Sequence, residues 1–217
     1  MTAMSKRALA LTALVCAALA LVLIFGLDRR IAEAVHASVV ASSAVFVDGT
    51  HALDAISGRS LLHSHMLSGV LLGGILCALG ILGWLFNRGS ALARALLFTG
   101  GVQLTTIAAA FGLKKFFGRQ RPYELFGHGD WQHIWFAGGS SFPSGHVAFF
   151  WGLFLPLMYL FPRWRIPLLI IPVFIAFGRI DMSVHFVSDV LASVTLAALV
   201  TLIAATLLGR WIKPTAR

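Results

Sequence analysis

The sequence is poor in charge. Asp, Glu, Lys and Arg together make up 12% of its 217 residues, about half the share found in a soluble domain. Too few charged side chains are present to cover a water-soluble globule, which excludes that class. Acids are scarcest: eight Asp and Glu stand against 17 Lys and Arg, for a net charge of +9. The basic residues gather into no cluster, so the positive charge gives nucleic-acid binding no support. Cysteine is nearly missing too. Cys16 and Cys77 both sit in apolar stretches, which leaves no disulfide framework and no thiolate metal site. Low-complexity linkers are lacking and no composition break marks a second domain. Residues 1–217 are therefore expected to form a single integral-membrane domain.

Apolar residues are in excess, at 59% of the chain with a mean hydropathy of +0.88. Crossing ~30 Å of hydrocarbon takes a long apolar helix at ~1.5 Å per residue. The runs present predict an all-α fold, a six-transmembrane-helix bundle with spans at about 8–27, 66–86, 95–113, 144–161, 166–179 and 190–208. Lys6 and Arg7 ahead of the first run would also suit a signal peptide. That run is longer than the usual ~7–15 apolar residues, and Asp28-Arg29-Arg30 stands where a cleavage site would be, so the span is expected to be retained. Between spans one and two, Ile31, Val35, Val39 and Val40 recur at helical spacing and predict an amphipathic segment at the interface. Gly69 and Gly73 permit close helix contact within the bundle.

Six spans place both termini on one side. That side carries Lys6, Arg7, Arg88, Arg94, Arg163, Arg165, Arg210, Lys213 and Arg217 with no acid. The other side holds the remaining cations, every acid and every histidine, and sums to zero. The positive-inside rule then puts the termini in the cytoplasm. By the same parity the end of span three, the start of span four, the end of span five and the start of span six meet at the outer face.

The chemistry-bearing residues lie at those four ends. Ser141 to His146 reads S-F-P-S-G-H ahead of an apolar helix. Pro143 suits the first helical turn, and the free N–H groups of such a start bind anions. Lys114 and Arg121 stand seven apart, so a helical continuation of span three would put both on one face, with Pro122 ending it. With Arg179 they can surround the oxygens of a phosphoryl group. His185 and Asp189 form an i, i+4 pair in which the carboxylate would orient the imidazole as base or nucleophile. Other histidines invite a metal reading, namely His63-Ser64-His65, and His128 and His133 beside Glu124 and Asp130. An exposed loop pair explains the first of these better. Trp131, Trp135 and Phe136 suit interfacial anchoring or the rim of a lipid entrance.

Together, Lys114 with Arg121-Pro122, then Pro143-Ser144-Gly145-His146, then Arg179, His185 and Asp189 resemble the signature of the type 2 phosphatidic acid phosphatase (PAP2) superfamily. One position departs, Gly178 standing where the family has Ser. The resemblance implies a bacterial membrane lipid phosphatase without metal or cofactor. His185 would attack phosphorus and become phosphohistidine, oriented by Asp189. His146 would protonate the departing oxygen and then activate water. Ser144 and the Gly145 N–H would bind phosphoryl oxygens with Lys114, Arg121 and Arg179. Gly178 would cost one hydrogen bond to phosphate or leave it to water. The partner would be a membrane lipid phosphate or diphosphate of the undecaprenyl diphosphate, phosphatidylglycerol phosphate, phosphatidate or lipid A type. The alternatives are lipid-to-lipid phosphotransfer at the same site and a non-catalytic lipid carrier.

Overall fold

The structure is a computed structural model describing residues 5–38, 42–58, 65–88, 90–127, 129–209 and 211–212. Described residues form helices and no strands. In chain order these are α1 Lys6–Gly26, α2 Asp28–His36, α3 Ala44–Ile56, α4 His65–Phe86, α5 Ala91–Phe117, the short α6 Pro122–Leu125, α7 Gly145–Leu160, α8 Arg165–Asp181 and α9 Val187–Leu207. Helix starts are set by local chemistry. The Ser5 hydroxyl accepts from the Ala8 N–H at 3.1 Å, and Ser90 caps α5 in the same way from Ala93 at 3.2 Å. Both satisfy amide groups that the first turn leaves without a carbonyl partner.

Helix α7 runs through the centre, against α5, α8 and α9. Its Val147, Ala148, Phe149 and Leu155 are buried. Leu155 and Met158 join Leu9 and Ala13 of α1 and Ala197 and Ala198 of α9 in one core cluster. Helix α4 lies along α5 on a seam of small residues. A methyl group on Gly73 would stand 2.8 Å from Leu104 and 3.2 Å from the Gly100 carbonyl oxygen. The expected close contact at Gly69 and Gly73 is therefore within the chain. Large apolar side chains such as Leu14, Phe25, Ile75 and Phe86 cover the outer surface, as suits a solvent of lipid chains.

Among the described residues four helices, α1, α4, α5 and α9, are long and apolar enough to cross a membrane, and α7 is a shorter apolar helix. The expected spans lie within or beside α1, α4, α5, α7, α8 and α9. Helix α5 runs beyond the expected 95–113 and carries Lys114 inside it. The segment expected to be one amphipathic helix is divided between α2 and α3, and Val39 and Val40 lie outside the described residues. So do His63, His128, Arg210, Lys213 and Arg217.

The bundle has two chemically distinct ends. At one, Phe98, Leu160, Ala205 and Ile212 cluster, and Lys6 approaches Gly209. At the other, the ends of α5 and α8 meet the starts of α7 and α9, and there the motif residues collect.

Candidate active site

Helix α5 stops where Gly118 takes a left-handed conformation at φ 49° and its N–H returns to the Lys114 carbonyl at 3.1 Å. The following segment folds back on itself. Ser141 N–H donates to the Arg119 carbonyl at 2.7 Å, and a side chain on Gly139 would collide with that carbonyl, its Cβ only 2.3 Å away. Lys114 and Arg121 therefore share no helix. Arg121 is the extended cap of α6, fixed by its N–H to Glu124 Oε2 at 2.7 Å. The expected common helical face is replaced by a turn, and the two cations still meet across one cavity.

That cavity, of about 250 Å³, is lined by Lys114, Arg121, Ser140, Gly145, His146 and His185 on its polar side. Met66 of α4 with Ile107, Ala110 and Phe111 of α5 makes an apolar wall. The Lys114 ammonium donates to the Ser140 carbonyl. Five of the eight predicted site residues thus share one surface. Asp189, Ser144 and Arg179 are packed immediately around it.

Helix α7 begins with Ser144 as cap and Gly145 first in the helix, so Pro143 lies before the cap and not in the first turn. The Ser144 N–H is taken by the Asp189 carbonyl at 3.2 Å. The amides that follow belong to the first turn, which has no intrahelical acceptor for them. The Ser144 hydroxyl is fully buried without a hydrogen-bond partner, as a donor awaiting a ligand oxygen would be.

His185 lies in the turn between α8 and α9, its N–H held by the Arg179 carbonyl at 3.2 Å. Asp189 is the third residue of α9, and its Oδ2 accepts from the Phe186 N–H at 2.9 Å. The pair is thus built across a helix start and not along one helical face. His185 Nδ1 is 3.6 Å from Asp189 Oδ2 and 3.4 Å from the Ser141 hydroxyl. This leaves Nε2 for the cavity. Burial, with the charges of Lys114 and Arg179 opposing the pull of Asp189, holds the imidazole pKa down at about 3. The ring is neutral at physiological pH, with a lone pair to offer.

Sequence reasoning missed what holds Asp189. Arg119, 1% exposed, donates through Nη1 to Asp189 Oδ1 at 2.6 Å and to Ser188 Oγ at 2.8 Å, and through Nη2 to Asp28 Oδ2 at 2.8 Å. Its guanidinium is sandwiched between Trp135 and Phe186, 4.4 and 3.9 Å from the ring centroids. Trp135 is therefore one of the rings on that buried cation, and the half-buried Trp131 packs on Phe126, Phe186 and Arg29. The Ser141 hydroxyl donates to Asp189 Oδ2 at 2.5 Å. Only the position of Arg119 between Lys114 and Arg121 hinted at it, and nothing in the spacing ranked it above its neighbours.

Gly178 has a packing reason. A Cβ there would stand 3.3 Å from both Phe46 Cδ1 and Thr50 Oγ1 of α3. The Thr50 hydroxyl, 2% exposed, has no partner. A threonine hydroxyl from α3 thus lies beside the place where the family's serine would be. Of the metal candidates, His133 Nδ1 pairs with Asp130 Oδ2 at 2.6 Å on an exposed loop. Among the described residues no three His, Cys, Asp or Glu groups gather as a metal site would require.

The match to known proteins follows the same residues. The PAP2 superfamily profile covers residues 91–213, more than half of the chain and every predicted site residue. The chain belongs to that superfamily. It resembles the lipid A 1-phosphatase of Rhizobium johnstonii, 32% identical over 101 residues, covering 45% of this chain and 41% of the relative. The lipid A 1-phosphatase of Rhizobium etli is 30% identical over 101 residues, covering 45% and 44%. The chain thus spans less than half the length of these curated relatives. No solved structure matches it significantly.

Proposed function

We propose that the chain is an integral-membrane lipid phosphatase working through a phosphohistidine at His185, with no metal. The observation that carries this is the divided cavity: cations and two histidines on one wall, Met66, Ile107, Ala110 and Phe111 on the other. A phosphate head on an apolar body fits such a surface, and a free sugar phosphate would leave the apolar wall unused. His185 Nε2 attacks phosphorus in line. Lys114, Arg121, Arg179, the Ser144 hydroxyl and the first amides of α7 hold the oxygens on which charge accumulates. His146 gives a proton to the departing lipid oxygen, then takes one from the water that releases phosphate.

Residues 1–217 act as one domain in this reading. α1, α4, α5, α7, α8 and α9 cross the cytoplasmic membrane of a bacterium, and α2 and α3 lie at its outer boundary. The cation-rich end with both termini faces the cytoplasm, so the cavity opens outward. Substrates come from the set of undecaprenyl diphosphate, phosphatidylglycerol phosphate, phosphatidate and lipid A phosphates. The printed names of the two relatives put lipid A 1-phosphate first in any panel.

The test is phosphate release by purified protein in detergent over that panel, with EDTA in excess and with vanadate. Turnover that survives EDTA and is blocked by vanadate is expected. Activity lost to EDTA and restored by magnesium or zinc would overturn the chemistry, and no release from any lipid would leave the carrier reading.

A further inference from the structure

Besides the dyad of His185 and Asp189, the site contains a second histidine–carboxylate pair. His146 Nε2 lies 3.0 Å from Asp54 Oδ2, on side chains 5% and 17% exposed. Asp54 belongs to α3 and lies outside the family-matched stretch of residues 91–213. We propose that Asp54 positions His146 for proton transfer, so that α3 completes the acid–base half of the site. This rests on the phosphatase reading above.

Helix α3 is docked firmly enough for the task. At its start the Ser43 N–H donates to Asp181 Oδ2 at 2.8 Å, and the Ser42 N–H to the Asp181 carbonyl at 3.2 Å. Midway, Gly49 admits the Phe174 ring of α8 so closely that a Cβ would stand 2.5 Å from its tip. Phe46 packs on the same ring in a tilted arrangement, 5.1 Å between centroids. Gly178 makes room for Phe46 and Thr50. The residue where this chain departs from its family is thus the one against which α3 packs, one turn before Asp54.

The carboxylate accepts the Nε2–H of His146 and fixes that tautomer, and in this proposal proton exchange runs through Nδ1. In the first step the His185 Nε2–phosphorus bond forms, the phosphorus–oxygen bond to the lipid breaks, and the Nδ1 proton goes to the departing oxygen. In the second, water adds its oxygen to phosphorus, its proton goes to Nδ1, and the nitrogen–phosphorus bond breaks. The Asp54 charge favours the imidazolium at the start and end of this cycle. Asp54 itself never touches the substrate.

The test compares Asp54→Asn and Asp54→Glu with the unaltered protein, on an alkyl lipid phosphate and on an aryl phosphate with an acidic leaving group. Quenched first turnovers are followed, together with the nitrogen NMR signals of His146. A general acid contributes ~10²–10⁴-fold and matters least when the leaving group is already acidic. Asp54→Asn is expected to slow the first alkyl turnover ~10–100-fold, with KM changed less than about twofold and the aryl burst unchanged. The Nε2–H signal should move, and Asp54→Glu should recover part of the rate. Equal slowing of both substrates, or a His146 spectrum indifferent to both variants, would overturn the assignment. Should the unaltered protein release phosphate from nothing, the phosphatase reading fails alone. The His146 signal then still decides whether Asp54 sets its tautomer. Should the Asn variant fail to fold, Asp54→Glu keeps the charge and must shift both the signal and the alkyl rate.

Discussion

The two histidines of the cavity are held by carboxylates of very different kinds. Asp189 is fully buried and receives Arg119, the Ser141 hydroxyl and the Phe186 N–H before any contact with His185. Asp54 is partly exposed, on a short helix outside the matched stretch. In the proposed mechanism the nucleophile needs one fixed geometry throughout, which suits a partner locked by three donors. The proposed proton carrier would change charge twice per cycle. A carboxylate that is 17% exposed can follow that change at smaller cost than one buried completely.

Breaking the locked side should have the largest effect. His185→Ala is expected to abolish phosphoenzyme and to lower turnover by ~10⁵–10⁶-fold, the scale of losing an activated nucleophile. Asp189→Asn should cost on the order of 10⁴-fold by leaving the ring badly oriented. Trapping with radiolabelled substrate and quench assays measures both. Phosphoenzyme surviving in His185→Ala would move the nucleophile elsewhere.

Arg119 sharpens the contrast through stability. Arg119→Leu leaves Asp28 and Asp189 facing each other's surroundings without their shared cation. Removing one partner of such a buried pair costs ~3–5 kcal/mol. Detergent unfolding should show that loss, whereas Asp54→Asn, at a partly exposed pair, should shift the midpoint far less. Comparable shifts would mean that the two carboxylates are held alike.

A smaller effect concerns pH. The His185 pKa is lowered to about 3 chiefly by burial, against ~6.5 in the unfolded chain. Between these values the unfolded chain binds a proton that the folded one refuses. Stability therefore falls as pH drops through the window and is unaffected above it. Histidine NMR should show the His185 ring still neutral at pH 5. A midpoint near 6.5 would remove the support that the lowered pKa gives to its proposed role as nucleophile.

Much of the site was legible because motif order and helix parity are both sequence properties. Lys114, Arg121, Gly145, His146 and His185 were expected on one surface and line one cavity. What sequence could not deliver were contacts between segments far apart. Arg119 meets Asp28 across 91 positions and His146 meets Asp54 across 92, and no periodicity encodes such pairings. Helix boundaries misled for a local reason: the αL turn at Gly118 ends α5 four residues before Pro122.

The smallest expected effect tests how finely α3 is seated. Gly178→Ser would restore the family's residue, with a Cβ 3.3 Å from Phe46 Cδ1 and Thr50 Oγ1. That is tight without being a collision, so α3 must yield by a few tenths of an ångström. The new hydroxyl would gain the unpartnered Thr50 oxygen as a neighbour, which offsets part of the crowding. Stability should change by under ~1 kcal/mol. Asp54 lies one turn further along, and its 3.0 Å contact with His146 should lengthen slightly. The alkyl lipid phosphate should slow about two- to threefold while the aryl substrate does not. Gly178→Ala adds the same Cβ without the hydroxyl and should slow the alkyl substrate at least as much. A serine that accelerated both substrates equally would instead mean that its hydroxyl serves the phosphate directly, as the family pattern suggested, and that α3 had only been filling its place.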